Sequence, residues 1–154
     1  MEFGIILINR NPLPSIRLFI IYAHFIIVFF VVLEDDGGNV ACAVNTACLA
    51  LIDSGFSMKY VFAGLTCAVI KDDKDKSHII LDADSVTMRK ASDIVAQVTF
   101  VFESRKKDIL ASHVTGKCTE EVFQECLRIA KNASDKIFQF YREVVQKKFS
   151  KECI

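Results

Sequence analysis

The sequence has no excess of charge of either sign, since 19 Lys and Arg residues balance 19 Asp and Glu residues. A chain without net charge has no overall field that concentrates a polyanion, so any contact with RNA or DNA must come from a local patch. This balance argues against a dedicated nucleic-acid binder that acts alone. Outside the last helix, the short basic cluster is Arg105, Lys106 and Lys107. Three charges release few counterions, so we expect weak affinity for RNA.

Paired cysteine motifs are also missing. The chain has six cysteines but no C-x-x-C pair, which argues against a zinc ribbon and a thioredoxin-like redox site. Three histidines show no consistent metal spacing either, and we expect no metal and no cofactor. The cysteines are predicted to be small buried apolar residues in a reducing compartment. These residues are Cys42, Cys48, Cys67, Cys118, Cys126 and Cys153, with His24, His78 and His113.

The N-terminal part carries an apolar run at residues 18–33. Its 16 residues fall short of the roughly 20 that span a bilayer, and no small-residue cleavage site follows it. Its last part, residues 26–33, is rich in Ile, Val and Phe and predicts a strand buried on both faces. Residues 1–25 are an apolar leader without an assigned structure, and a small membrane-anchored protein remains an alternative that rests on this run alone.

A glycine-rich turn, Asp36-Gly37-Gly38-Asn39, stands between this strand and an Ala-rich helical pattern. The arrangement aims backbone N–H groups and the positive end of a helix dipole at one spot, which can hold a phosphate. We expect Asn39 to be the N-cap of a helix that ends at Asp53, before Ser54-Gly55. A site that uses phosphate chemically normally adds a fixed cation, and the next residue is Val40. The turn therefore resembles a phosphate-binding scaffold that lacks the cation needed for catalysis.

The remaining pattern predicts two hairpins and a long helix. Residues 60–70 form an almost continuous apolar strand, and residues 77–81 return beside it. Residues 95–103 and 109–115 form the second hairpin, and a helix over 120–148 would be ~43 Å long. Its second half could cover another subunit or could close the core of this chain. The interface candidates are Phe138, Tyr141, Val145 and Phe149.

The order of these elements resembles the RNase PH family. The wording of residues 41–55 (ACAVNTACLALIDSG), 140–143 (FYRE) and 147–151 (KKFSK) is similar to ring subunits of the eukaryotic RNA exosome. The resemblance covers about residues 31–151. It implies an α/β (α+β) fold of the RNase PH-like, ribosomal protein S5 domain 2-like class, with a mixed sheet, an Ala-rich helix and a long C-terminal helix. Residues 26–151 would be the C-terminal part of the domain and residues 152–154 a tail, with the N-terminal half missing or replaced.

The resemblance also implies a degenerate catalytic site. Active members carry Asp-Gly-Gly-Thr-Arg, in which Thr and Arg bind the attacking phosphate, whereas this chain has Gly37, Gly38, Asn39 and Val40. Two acidic residues six apart serve metal binding or proton transfer in the family. If Asp93 is the second of them, the first position holds Thr87, whose hydroxyl cannot replace a carboxylate.

An alignment gap could instead bring Asp82 or Asp84 to the first acidic position. Without the resemblance, these carboxylates fit a solvated turn and a helix cap.

By resemblance we expect a non-catalytic structural subunit of the RNA exosome ring, which supports 3′-to-5′ RNA processing and degradation, including rRNA processing and mRNA turnover. Its partners would be other RNase PH-like ring subunits, with RNA bound weakly or only within the complex, and no membrane. The expected locations are the nucleus, the nucleolus and the cytoplasm. The alternative is a phosphate-dependent 3′-to-5′ exoribonuclease that releases nucleoside diphosphates.

Overall fold

The computed structural model of the 154-residue chain describes residues 3–7, 28–32, 37–71, 77–90 and 94–152. Helices and strands alternate along these ranges. In chain order they are β1 (Phe3–Leu7), β2 (Val28–Val32), α1 (Asn39–Asp53), β3 (Phe62–Lys71), β4 (Ser77–Leu81), α2 (Ser85–Lys90), β5 (Ile94–Glu103), β6 (Ile109–Gly116) and α3 (Glu120–Glu152).

The first two strands form a separate antiparallel ladder, with Phe3 opposite Val32. We predicted β2 but not β1, and the expectation that β2 is buried on both faces is wrong. Phe30, Val31 and Val32 are exposed, because within the described ranges β2 pairs with β1 alone. Most of the apolar run at residues 18–33 lies outside the described residues. Among the helices that the structure describes, none is both long and apolar enough to cross a bilayer.

The larger sheet has the strand order β4-β3-β5-β6. Both predicted hairpins are confirmed, since β4 pairs with β3 and β6 with β5. Every pairing that the structure describes is antiparallel, so the mixed character predicted for the sheet is corrected. The physical reason is that β4 and β5 both run opposite to β3 on its two sides, without a parallel crossover. The almost continuous burial of residues 63–69 fits the predicted central strand.

The long helix α3 packs across the sheet and closes the main core. Its Cys126 and Ala130 are fully buried against apolar side chains of β3 and β5. Phe100 and Phe123 lie 5.2 Å apart between ring centroids, which ties the start of the helix to β5. At 33 residues the helix is ~50 Å long. The strand residues of this core are Leu65, Cys67, Val69, Ala96, Val98, Phe100 and Phe102.

The cysteines behave largely as predicted. Cys48, Cys67 and Cys126 are fully buried, Cys42 and Cys118 are half-buried, and all five are free thiols. Burial raises the pKa of Cys67 to about 12, with Cys126 adding to the effect, so this thiol stays protonated at neutral pH. The sixth cysteine, Cys153, lies outside the described residues.

Helix α1 lies against the first half of β3, beyond the end of β4. The ladder between β3 and β4 begins only at Cys67, which leaves Gly64 without a strand neighbour on that side. Asn45 of α1 takes that place, since its side-chain amide bonds to both backbone groups of Gly64. A Cβ on Gly64 would lie 3.1 Å from Cα of Ala41, so the glycine permits this close approach of helix to strand.

Candidate phosphate-binding site

Two glycines with left-handed backbone conformations lead into α1. The φ angles are 91° for Gly37 and 62° for Gly38, a region that residues with a Cβ rarely adopt. Gly38 is the N-cap residue, and its carbonyl accepts the N–H of Cys42 at 3.0 Å. A Cβ on Gly38 would lie 3.1 Å from Oδ1 of Asp82. The positive end of the α1 dipole therefore lies at this turn.

The turn forms one wall of a cavity of about 320 Å³. The opposite wall comes from polar side chains of β3, β5 and β6. The hydroxyls of Thr66 and Thr99 lie 2.9 Å apart, and Thr115 Oγ1 lies 3.2 Å from His113 Nε2. The cavity is thus polar and rich in neutral hydrogen-bonding groups. Its lining residues are Gly37, Gly38, Asn39, Val40, Thr66, Gln97, Thr99, His113 and Thr115.

The prediction that Asn39 caps the helix is wrong. Gly38 occupies the N-cap position, where no side chain caps the helix by a hydrogen bond. Asn39 is the first helical residue. Its Oδ1 atom is buried and has no hydrogen-bond partner among the described residues. A buried polar atom without a partner costs about 1–3 kcal/mol.

No Lys or Arg is found among the described residues that line the cavity. Val40, where the resemblance implies that active members carry Arg, is 52% exposed and offers no charge to a bound anion. The site can hold an oxyanion or a hydroxyl group through amides and hydroxyls. Its described lining residues include no planar, bidentate cation of the kind that fixes and neutralises phosphate.

Of the predicted acidic positions, the structure describes Asp82, Asp84 and Thr87. Thr87 lies in α2, where its N–H donates to Asp84 Oδ1 at 2.9 Å, so Asp84 fits the predicted helix cap. Asp82 is the carboxylate that approaches the glycine turn, as the contact with Gly38 shows. Thr87 does not line the cavity, and Asp93 lies outside the described residues.

The interface candidates divide into buried and partly exposed residues. Phe138 and Tyr141 are 4% and 3% exposed, because they pack with Cys48 and Ala63 in a second core cluster. This packing supports the alternative that these two rings close the chain's own core, and it leaves them little area for a partner. Val145 is half-buried, and the side chain of Phe149 lies outside what the structure describes.

Tyr141 also has a polar role in this cluster. Its hydroxyl donates to Asn45 Oδ1 at 3.0 Å, and burial raises its pKa well above the ordinary value, with Cys48 and Cys42 adding to the rise. The ring therefore stays neutral and links α3 to α1.

The more exposed residues near the interface candidates are ones that the sequence did not point to. Phe140, 52% exposed, lines an apolar groove of about 510 Å³ between α1 and α3, with Asp82 and Lys136 at its rim.

The sequence also did not identify His113 and Thr99 as residues of the polar cavity. The pattern that could have identified them is the alternation in Gln97-x-Thr99 and His113-x-Thr115. Side chains two residues apart on a strand lie on the same face of the sheet.

Among the residues that the structure describes, no group of three His, Cys, Asp or Glu side chains could hold a metal ion.

The glycine turn before an Ala-rich helix, the antiparallel sheet and the long closing helix define an RNase PH-like α/β fold. The sequence relatives agree with this class. The chain is 30% identical over 138 residues to "Exosome complex component Rrp41" of Thermococcus kodakarensis, which covers 90% of this chain and 52% of that protein. No known family profile matches the chain.

Two solved structures share the fold. The crystal structure of rice (Oryza sativa) Rrp46 matches with a TM-score of 0.66 and 28% identity, over 77% of this chain and 53% of that one. The structure of C. elegans cell-death-related nuclease 5 matches with a TM-score of 0.68 and 26% identity, over 81% and 65% of the two chains. The chain therefore has an RNase PH-like fold and is similar in sequence to exosome subunits named Rrp41 and RRP46. It spans about half the length of these curated relatives.

Proposed function

We propose that this chain is a non-catalytic structural subunit of an RNA exosome ring. The observation that carries the proposal is that no Lys or Arg is found among the described residues that line the cavity beside Gly37 and Gly38, where the resemblance puts Val40 in place of Arg. Without a fixed cation, an attacking phosphate would be neither oriented nor neutralised, so phosphorolysis should not proceed at a useful rate. The fold that builds the site remains, and with it the surfaces that neighbours can use.

In this role the chain would hold other RNase PH-like subunits in place while RNA passes to catalytic partners. It would thereby support 3′-to-5′ RNA processing and degradation, with rRNA processing and mRNA turnover as the expected pathways. Such work takes place in the nucleus, the nucleolus and the cytoplasm, which are the proposed locations. Residues 26–151 would supply the C-terminal part of the domain, with residues 1–25 as a leader and 152–154 as a tail.

The short basic cluster outside α3 offers RNA few contacts. Arg105 and Lys106 are exposed at the β5–β6 turn, while Lys107 pairs with Asp135 at 2.6 Å. Two or three phosphate contacts give a shallow dependence of affinity on salt. RNA binding by the isolated chain should therefore be weak, and a steep salt dependence would contradict the proposal.

Assembly is tested by co-expression. The full chain, with an affinity tag, should co-purify with other RNase PH-like ring subunits in a stoichiometric complex that survives size-exclusion chromatography. A matched chain with Phe140→Glu should assemble less well if the apolar groove beside Phe140 is part of the contact. If the tagged chain recovers no ring subunit under any salt condition, the structural role is wrong.

The second candidate is a phosphate-dependent 3′-to-5′ exoribonuclease. Two observations favour it: the cavity remains polar, and Asp82 lies beside the glycine turn. The test incubates the purified chain with labelled RNA, with and without inorganic phosphate, and separates the products. We expect no nucleoside diphosphates. Their phosphate-dependent release, lost in Asp93→Asn but kept in the exposed control Asp135→Asn, would establish the enzyme instead.

A further inference from the structure

Asp82 has an uncommon backbone conformation, directly after the end of β4. Its φ angle is 51°, in the left-handed region that residues with a Cβ rarely adopt. Its N–H donates to the carbonyl of Thr66 at 2.8 Å, which holds this backbone beside β3. A conformation of this kind persists where the surrounding structure enforces it, and such positions are frequent at functional sites. The fold therefore fixes the place from which the Asp82 side chain extends.

The carboxylate of Asp82 lies at the glycine turn that begins α1. A Cβ on Gly38 would be 3.1 Å from Asp82 Oδ1, so this oxygen packs against the backbone of the N-cap residue. The positive end of the α1 dipole lies at the same turn, and it attracts negative charge. Asp82 thus places a negative charge at the end of the helix to which an external anion would be drawn.

No described cation neutralises this carboxylate. Among the residues that the structure describes, no Lys or Arg forms an ion pair with Asp82, although Lys136 lines the same apolar groove. The charge also acts on the first turn of α1. Burial is the main cause of the raised pKa of the Cys42 thiol, and the negative charge of Asp82 adds to the rise.

We propose that Asp82 is an internal anion that keeps phosphate and other anions away from the glycine turn. Two negative charges a few ångströms apart repel each other, and no Lys or Arg among the described lining residues of the polar cavity offsets the repulsion. The cavity then favours ligands without negative charge, which can bind through the hydroxyls of Thr66, Thr99 and Thr115. Asp82 is in this sense a specificity-determining residue.

Solvent limits the size of this effect. Asp82 is exposed, so water and dissolved ions screen its charge. Coulomb repulsion over a few ångströms predicts that Asp82 weakens phosphate binding at least roughly fivefold at low salt, equivalent to about 1 kcal/mol. The difference should shrink as salt is added, because the Debye length falls from roughly 30 Å at about 0.01 M to roughly 3 Å at about 1 M.

This inference rests on the glycine turn and not on membership of a ring. It concerns the affinity of the isolated chain for an anion, whereas the ring role is tested by co-purification. If the removal of Asp82 leaves phosphate affinity unchanged, the ring role still stands. A chain that recovers no ring subunit can still exclude anions through Asp82.

The test titrates inorganic phosphate into the isotope-labelled full chain and follows the backbone amide signals by NMR. Asp82→Asn removes the charge and keeps the size of the side chain, and Asn also tolerates the left-handed conformation. This variant should bind phosphate at least roughly fivefold more tightly than the wild type at low salt. The largest shifts should occur at Gly37, Gly38 and Asn39, and the gain should fall as sodium chloride is added.

Asp84→Asn is the matched control. It removes the same charge two residues further along, and Asn can still accept the N–H of Thr87 at the start of α2. Its phosphate affinity should stay close to that of the wild type, as should that of Asp82→Glu, which keeps the charge. Asp82→Gly is a second neutral variant that suits the positive φ, and circular dichroism establishes which variants are folded.

Four results would overturn the proposal. The first is unchanged phosphate affinity in the folded neutral variants of Asp82, and the second is an equal gain in Asp84→Asn. The third is a gain that does not depend on salt, because repulsion between charges must be screened. The fourth is a set of amide shifts concentrated away from the glycine turn.

Discussion

Asn45 uses its side-chain amide as a one-residue substitute for a neighbouring strand against Gly64. Its Oδ1 accepts the N–H of Gly64 at 2.7 Å, and its Nδ2 donates to the carbonyl of Gly64 at 2.9 Å. The same Oδ1 also accepts the hydroxyl of Tyr141. One side chain on α1 thus joins β3 and α3, at a part of β3 that β4 does not reach.

Replacement of Asn45 by Ala should destabilise the fold substantially. Two backbone groups of Gly64 lose their partners in a half-buried position, which predicts a loss of about 2–3 kcal/mol in the free energy of unfolding. Urea titration followed by circular dichroism measures it. Tyr141→Phe is the matched control, because it removes one hydroxyl and keeps the ring, and should cost only about 0.5–1.5 kcal/mol. Equal losses in the two variants would show that Asn45 does not act through Gly64.

Two glycines with positive φ differ in how close an added Cβ would come to other atoms. Comparing alanine substitutions at the two positions therefore separates the effect of backbone strain on stability from that of close contact. Gly55 and Gly116 have φ of 69° and 94°, so alanine is strained at either position. A Cβ on Gly55 meets nothing within 4 Å, whereas on Gly116 it would lie 2.3 Å from the carbonyl oxygen of Val95. Gly116→Ala should therefore lower the thermal midpoint much more than Gly55→Ala. Similar midpoints for the two variants would indicate that β6 moves away from β5 at little cost.

The β5–β6 turn is organised by a buried carboxylate. Glu103 accepts the backbone N–H of Arg105 at 2.9 Å and that of Lys106. Burial acts to raise the pKa of Glu103, but hydrogen bonds from the turn outweigh it, and the net pKa lies below the ordinary value. Because the folded pKa is lower than the unfolded one, the stabilisation is complete above the unfolded value of 4.5 and is lost as pH falls through the folded value.

Glu103→Gln should accordingly be less stable than the wild type at neutral pH, with a difference that shrinks under acid. Urea midpoints between neutral and acidic pH measure this convergence. The comparison variant is Glu125→Gln, since Glu125 also has a lowered pKa through its bond to Arg128, but this pair is solvent-accessible. A surface pair contributes little to stability, so its effect should be small at every pH. A constant difference for Glu103→Gln across the pH range would contradict the prediction.

Hydrophobic periodicity was enough to predict the strands of the larger sheet and the helices α1 and α3, but not the short helix α2. The hairpins β3–β4 and β5–β6 and the helix α1 lie within one or two residues of their expected positions. Each of these segments has a clear apolar period bounded by charged or glycine-rich turns. The exposure of β2 could not be predicted in this way, because an apolar run does not show how many other elements will cover the strand.

The candidate site was predictable in part. The glycine turn and the absence of a cation at Val40 were visible in the sequence, since they involve consecutive residues. The wall that contains Thr66, Thr99 and His113 was not, because it joins three strands whose register only the folded sheet defines. Asn39 and Gly38 illustrate a further limit: both suit an N-cap, and the left-handed conformation of the glycine decided between them.

Restoring the family's residues at the turn tests whether the missing cation is the decisive change. In Asn39→Thr/Val40→Arg, the new guanidinium starts from an exposed position and can reach an anion at the start of α1. Charge-assisted hydrogen bonds contribute about 1.5–3 kcal/mol, which predicts at least roughly a tenfold gain in affinity for inorganic phosphate, measured by calorimetry. Val86→Arg adds the same charge at a residue with similar exposure, 50% against 52%, and should give little gain. Equal gains in the two variants would mean that general electrostatics, rather than the turn, attracts the anion. RNA cleavage should stay absent in both, because the position of Thr87 still lacks a carboxylate.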